Sequence, residues 1–263
     1  MGKSMRWFAV ATPDLELTGE RIVPGKTPES LFREHEERYA FAAQYVPGKD
    51  VLDVACGTGV GTSFLRQAGA RRVWGLDIDP DAIAFAKERY SDCEFAQSDA
   101  ASMCLANSSV DVVVSFETLE HLKDQHKFLK ECQRTLRPGG LIICSTPNRT
   151  IFKWWPPNPY HVHELTAEEF IEFVGMYFGG LSLLAQAERM YPLYVLRRLT
   201  AKTLDQLKLK ARIKNILGDD ASPDGIGRRV FGQNGNAFHG IGPHRDSSLF
   251  QATYLIALGR KAA

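Results

Sequence analysis

The chain has 263 residues, of which 44% are hydrophobic, 24% charged and 10% aromatic, globular proportions that exclude a chain dominated by disorder. Lys and Arg number 32 against 31 Asp and Glu, a net charge of +1, so no overall field draws the protein to nucleic acid or to a membrane surface. No apolar run approaches the roughly 20 residues that span a bilayer, and Trp7–Ala11, closed by Thr12 and Pro13, is too short for a signal-peptide core. Cys56, Cys93, Cys104, Cys132 and Cys144 are odd in number and include no CxxC pair. They point to reduced, buried thiols in a cytoplasmic protein, not to a disulfide framework or a thiolate zinc site.

Residues 1–34 read as a lead-in, punctuated by Pro13, Gly19, Pro24, Gly25 and Pro28. Helical spacing over Glu29–Val46 ends at Pro47-Gly48. From there short β-branched runs alternate with helical stretches. The runs are Val51–Val54, Val73–Leu76, a weaker Cys93–Ala96, Val110–Val114 and Leu141–Cys144. The helices are expected near Val60–Ala68, Pro80–Tyr90 and Lys123–Leu136, with Arg137–Gly140 as a turn. This alternation predicts an α/β fold with a mostly parallel sheet covered on both faces. Thr166 N-caps a further helix to Phe178. Leu181–Ala187 and Phe250–Leu258 supply the last two strands. Residues 190–248 are too long for a simple connection. They read as an insertion, a lid with a basic stretch (Arg197 to Lys214) and a Gly-rich loop. The basic stretch reads as the solvated face of a helix.

The strand Val51–Val54 runs into Ala55-Cys56-Gly57-Thr58-Gly59-Val60-Gly61 and then a helix. Glycines there let a ligand approach the main chain, and the helix N-terminus offers free N–H groups. Asp77 ends the next strand, where an acid can hold ribose hydroxyls. Asp53, just before the loop, suits a cationic ligand better than a pyrophosphate. Asp99 ends a third strand, where it can accept from an amino group. A dinucleotide and S-adenosylmethionine both fit this arrangement.

Val51–Gly59, Gly75–Asp79, Asp99-Ala100, Asp111–Ser115 and Leu136–Gly140, in that order, resemble the class I S-adenosylmethionine-dependent methyltransferases. The resemblance implies a Rossmann-like, seven-stranded sheet with an antiparallel last strand, spanning a domain of residues 35–263. It implies that Asp53 and the backbone of Ala55, Cys56, Gly57 and Gly59 face the methionine part, with Arg38 on its carboxylate. Asp77 would take the ribose, Ile78 would pack on the adenine, and Asp99 and the Ala100 amide would read the adenine edge. Phe116 would line the pocket. Ala55 stands where many members have Gly.

Glu117, Glu120 and His121 follow the fourth strand at i, i+3 and i+4, one face of a helical turn. Two carboxylates and an imidazole there suit a divalent cation, although an ordinary acidic helix start has the same spacing. Together with Asn158–Thr166, they resemble the branch holding ubiquinone-type, sugar and natural-product O-methyltransferases and small-RNA 2′-O-methyltransferases. In the RNA enzymes an E-x-x-E-H motif and one later His hold magnesium. By that resemblance Glu117, Glu120, His121 and His161 bind Mg2+ or Mn2+, with His121, His161 or His163 as the alternative general base. The expected reaction is O-methylation of a small molecule with neighbouring hydroxyls, such as a sugar. N-methylation, RNA 2′-O-methylation, a dehydrogenase and a non-catalytic cofactor-binding protein are the rivals.

Overall fold

The first strand, β1 (Asp50–Val54), is buried at every position. It lies between β2 (Arg72–Asp77) and β4 (Val110–Ser115), both parallel to it. β3 (Glu94–Gln97) adds to the free side of β2, and β5 (Leu136–Pro147) pairs parallel with β4. β6 (Gly179–Ala187), β7 (His239–Pro243) and β8 (Ala252–Arg260) complete the sheet. The order is β3-β2-β1-β4-β5-β8-β6-β7, and β8 runs antiparallel to β5. Seven of these strands are those expected from the sequence; β7, within the expected insertion, is an addition.

This computed structural model describes residues 21–152, 158–187, 239–243 and 252–263. The chain divides into two compact units. One holds Met1–Gln186, Ile241–His244 and Thr253–Ala263, the other Ala187–Gly240 and Arg245–Ala252. The second unit, and with it the expected lid and basic stretch, lies almost wholly outside the described residues. No helix among the described residues is long and apolar enough to cross a membrane.

Among the described residues six α-helices accompany the sheet: α1 (Glu29–Ala42), α2 (Val60–Gln67), α3 (Pro80–Arg89), α4 (Gln125–Thr135), the short α5 (Arg149–Phe152) and α6 (Ala167–Gly175). Local chemistry sets their starts. Asp79 caps α3 by accepting from the Asp81 and Ala82 amides, with Pro80 at the first helical position. Thr166 and Glu169 form a capping box on α6. Val51, Val112, Val114, Ile143 and Ile256 from neighbouring strands join Leu65 of α2 in one buried cluster. Each such fully buried side chain contributes about 1.5–3 kcal/mol.

One expectation needs correction. Arg137–Gly140 is not a free turn but the start of β5. Its extra residues form an irregularity between the Val110–Leu136 and Val112–Leu141 pairs, with Gly139 at φ 74°. The β-branched run Val110–Val114 is interrupted by a polar residue, the partly exposed Asp111. The carboxylate of Asp111 accepts from Arg137 at 2.8 Å.

Candidate active site

The carboxyl ends of β1, β2, β3 and β4 open into one cavity of about 330 Å3, the place where open α/β sheets bind ligands. The loop after β1 forms its floor. Ala55, Gly57 and Gly59 all have positive φ (59°, 53° and 77°), and three such residues fold the chain sharply so that its backbone faces the cavity. At Gly59 a side chain has no room, since a Cβ would lie 2.8 Å from the Phe95 ring.

Asp77 knots this loop to β2. Its Oδ2 accepts from the Gly57 amide at 2.7 Å and its Oδ1 from the Asp79 amide at 2.9 Å. Each carboxylate oxygen has two lone pairs, so the same group can still accept from ligand hydroxyls. Beside it, Ile78 is 69% exposed and lines the cavity. An exposed branched aliphatic on a pocket wall suits a flat ring. Asp99 and Ala100 line the next stretch of wall, with Asp99 Oδ1 holding the Ala101 amide. Cys56, Phe116, Glu117 and His121 complete the expected residues that line the cavity.

Three expected cofactor residues stand behind the wall. Gly59 does not line the cavity, and its amide donates to the Cys56 carbonyl at 3.0 Å. Asp53 is fully buried and does not line the cavity. Its carboxylate accepts from Thr62 Oγ1 at 2.6 Å and from the Tyr39 hydroxyl at 3.0 Å, and burial pushes its pKa up to about 7. Arg38 is also fully buried and off the cavity wall. Its Nη1 donates to Gln186 Oε1 at 2.6 Å, and its guanidinium lies 4.4 Å from the Tyr254 ring centre.

Other groups shape the same cavity. Arg21 and Ile22 line it. Arg21 pairs with Asp79, and the Ile22 carbonyl accepts from Thr58 Oγ1 at 2.9 Å, so the lead-in is fastened across the Gly loop. Tyr39 and His35 of α1 also line it. Burial, then the charge of Arg38, pushes the His35 pKa well below the ordinary value. His35 and Tyr39 thus border the cavity from α1, and the Tyr39–Asp53 bond has no local sequence signal.

The second cluster departs from its expected geometry. Glu117, Glu120 and His121 do not share one helical face. Glu117 has φ 52° and precedes a single 3-10 turn, Leu119–His121. A left-handed residue breaks helical phase, so the Glu117 side chain turns to Ser145, 2.5 Å away. Glu120, His121 and His161 do come together, with ligand atoms all within 4.8 Å of one another. Glu120 is 1% exposed. Its Oε2 accepts from Thr146 Oγ1 at 3.2 Å, whereas Oε1 has no hydrogen-bond partner. That orphan oxygen is 3.9 Å from His121 Nε2. His121 Nδ1 faces the Tyr160 carbonyl oxygen at 3.2 Å, and the two imidazole rings meet edge to face at 4.9 Å. Burial, then the charge of Glu117, pushes the Glu120 pKa well above the carboxylate range. His163 is exposed, on a separate groove with His126 and Glu169.

Residues 52–144 match the family described as "Methyltransferase domain". The chain is 44% identical over 164 residues to a protein of Mycolicibacterium smegmatis described as a probable S-adenosylmethionine-dependent methyltransferase, covering 61% of this chain and 63% of that one. It is 30% identical over 156 residues to the ubiquinone biosynthesis O-methyltransferase of Maricaulis maris, covering 52% and 61%. The chain thus spans about three fifths of the length of these relatives. Among solved structures, it resembles the methyltransferase bound to the Trm112 activator of Haloferax volcanii, with TM-score 0.55, 18% identity and coverage of 89% and 93%. At that identity the likeness concerns the fold.

Proposed function

We propose that this chain is a class I S-adenosylmethionine-dependent methyltransferase and that it methylates a hydroxyl of a small molecule whose neighbouring oxygen shares a divalent cation with it. The observation that carries this reading is the convergence of Glu120, His121 and His161, with His121 on the cavity wall. The Oε1 of Glu120 is a buried oxygen with no hydrogen-bond donor. One carboxylate and two imidazoles suit Mn2+ or another transition-metal ion better than Mg2+, which favours oxygen ligands, and Glu117 is near enough to raise the Glu120 pKa. The ubiquinone-type relative supports a hydroxyl as the acceptor.

Within this reading Asp77 and Ile78 hold the nucleoside, and Asp99 with the Ala100 amide reads the adenine edge. Asp53 braces Thr62 and Tyr39 behind the loop. Methyl transfer from a sulfonium is an in-line displacement, so the chain's main task is alignment. A bound cation would act there as Lewis acid, stabilising the ionised acceptor. Glu120, His121 and His161 would hold it, and Phe116 would exclude water beside it.

The test pairs two measurements. Chelator abolishes methyl transfer to catechol-like or sugar acceptors, and added Mg2+ or Mn2+ restores it. Glu120→Ala loses transfer while its affinity for S-adenosylhomocysteine stays unchanged. Transfer that survives chelation removes the metal and makes His121 or His161 the general base.

A further inference from the structure

His161 reaches the Glu120–His121 cluster from a loop whose hydrogen bonds define which of its nitrogens can act. The side chain of Asn158 comes first. Its Oδ1 accepts from the Tyr160 amide at 3.0 Å, which fixes the orientation of the carboxamide and turns Nδ2 toward His161. That Nδ2 lies 2.9 Å from His161 Nε2. An amide NH2 only donates, so Nε2 carries the lone pair. On the other side of the ring, Nδ1 is 2.5 Å from Glu164 Oε1. A carboxylate only accepts, so Nδ1 carries the proton. The two contacts agree on one tautomer. Both partners are sheltered, with side-chain exposures of 14% for His161 and 19% for Glu164.

The loop is also fixed against the cluster itself. The amides of Val162 and His163 both donate to the Glu120 carbonyl oxygen, at 2.7 and 3.2 Å, and the His161 amide donates to the Asn158 carbonyl at 3.2 Å. The ring therefore has its height and its rotation set relative to Glu120 by groups that lie outside the cluster.

We infer that Glu164 is a positioning residue that fixes the tautomer and rotation of His161, and that Asn158 holds the Nε2 lone pair until a divalent cation displaces it. This rests on the metal reading above. A carboxylate behind a ligating imidazole orients the ring and raises its basicity. An amide in front of it competes with the ligand. The two residues therefore act in opposite directions on the same nitrogen: Glu164 favours cation binding and Asn158 opposes it.

The experiment uses the full chain with 15N-labelled histidine, first free of metal. In the wild type His161 shows a protonated Nδ1 and a bare Nε2. Glu164→Ala loses that preference, whereas Glu164→Gln, which keeps an acceptor oxygen, retains it. Mn2+ is then titrated calorimetrically. Glu164→Ala weakens binding about tenfold or more, Glu164→Gln recovers most of the loss, and Asn158→Ala tightens binding roughly 2- to 10-fold. Affinity for S-adenosylhomocysteine stays level in all three. A wild-type His161 protonated at Nε2 overturns the inference whatever Mn2+ does. So does an Asn158→Ala protein that binds Mn2+ more weakly than wild type. A correct tautomer in a wild type that binds no Mn2+ is the distinct signature of a failed metal reading, and it removes the ligand role of Nε2.

Discussion

The ring of Tyr39 stands so close over Gly61 that a Cβ added to the glycine would lie 2.0 Å from Cζ. The same ring meets Phe116 edge to face at 5.0 Å, and its hydroxyl donates to Asp53. One side chain of α1 thus joins the start of α2, the end of β1 and the residue after β4. Gly61, the third glycine of the cofactor loop, is there to admit a tyrosine.

Gly61→Ala is expected to displace Tyr39. Overpacking of this kind costs about 1–3 kcal/mol, read as a lower thermal midpoint. Because Tyr39 lines the cavity, affinity for S-adenosylmethionine falls as well. A Gly61→Ala protein with wild-type midpoint and affinity shows that the ring is not held over the glycine.

The buried carboxyl of Asp53 makes folding depend on pH in a defined direction. Its folded pKa, about 7, lies above the ordinary unfolded value near 3.9. Between those values the folded chain holds a proton that the unfolded chain has released, so this contribution falls as pH rises from about 4 to 7. The full swing is on the order of 4 kcal/mol. Asp53→Asn removes it. Denaturant midpoints of the variant and wild type, compared at pH 5 and pH 8, test the sign: wild type must lose more stability than the variant at the higher pH.

Ile78 separates binding from folding. At 69% exposure it adds little to the core, so Ile78→Ser changes stability by no more than about 0.5 kcal/mol. Loss of apolar contact with a ligand ring weakens cofactor binding by about 1–2 kcal/mol. Asp77→Ala weakens binding by about 1.5–3 kcal/mol and also destabilises the protein, because the Gly57 and Asp79 amides lose their acceptor. Equal affinities for Ile78→Ser and wild type would place the adenine elsewhere.

At the opposite end of the sheet, Asp50 is held by Arg71 and Arg137, and Arg137 also holds Asp111. The hydrogen bond from Arg71 leads in keeping the Asp50 pKa below its usual value. That stabilisation is present above the unfolded carboxylate pKa and is lost as pH falls through the lower folded value. Arg137→Ala is expected to cost about 1 kcal/mol at neutral pH and nothing in strong acid. A loss that persists unchanged in strong acid would mean that Arg137 acts by packing alone.

The strands and the cofactor loop were legible because their signals are local. β-branched runs mark β1, β2 and β4, and Gly57 and Gly59 mark the turn. Asp77 was also legible, since an acid at a strand end has one direction in which to point. Glu117 was not. Its spacing to Glu120 predicts a shared helical face, yet a backbone at φ 52° redirects it to Ser145, and spacing carries no record of φ. Arg38 was misplaced for a different reason. Its partner Gln186 is far along the chain, and no local pattern announces such a pairing. The Tyr39–Asp53 bond is non-local in the same way, although Gly61 beside a helix start was a sign that something large had to fit there.

The position of β8 sets an order of assembly. In the finished sheet β8 lies between β5 and β6, but it is made after both. While the chain is being synthesised, β5 therefore presents an open edge from Pro147 until Ala252 and the residues after it emerge. The parallel half, β1 to β4, has its partners early. Closing the sheet requires contact between segments far apart in sequence, the kind of contact that slows folding. Until it occurs, the exposed edge of β5, with its buried-type residues Ile142, Ile143 and Cys144, is where a nascent chain is open to mispairing.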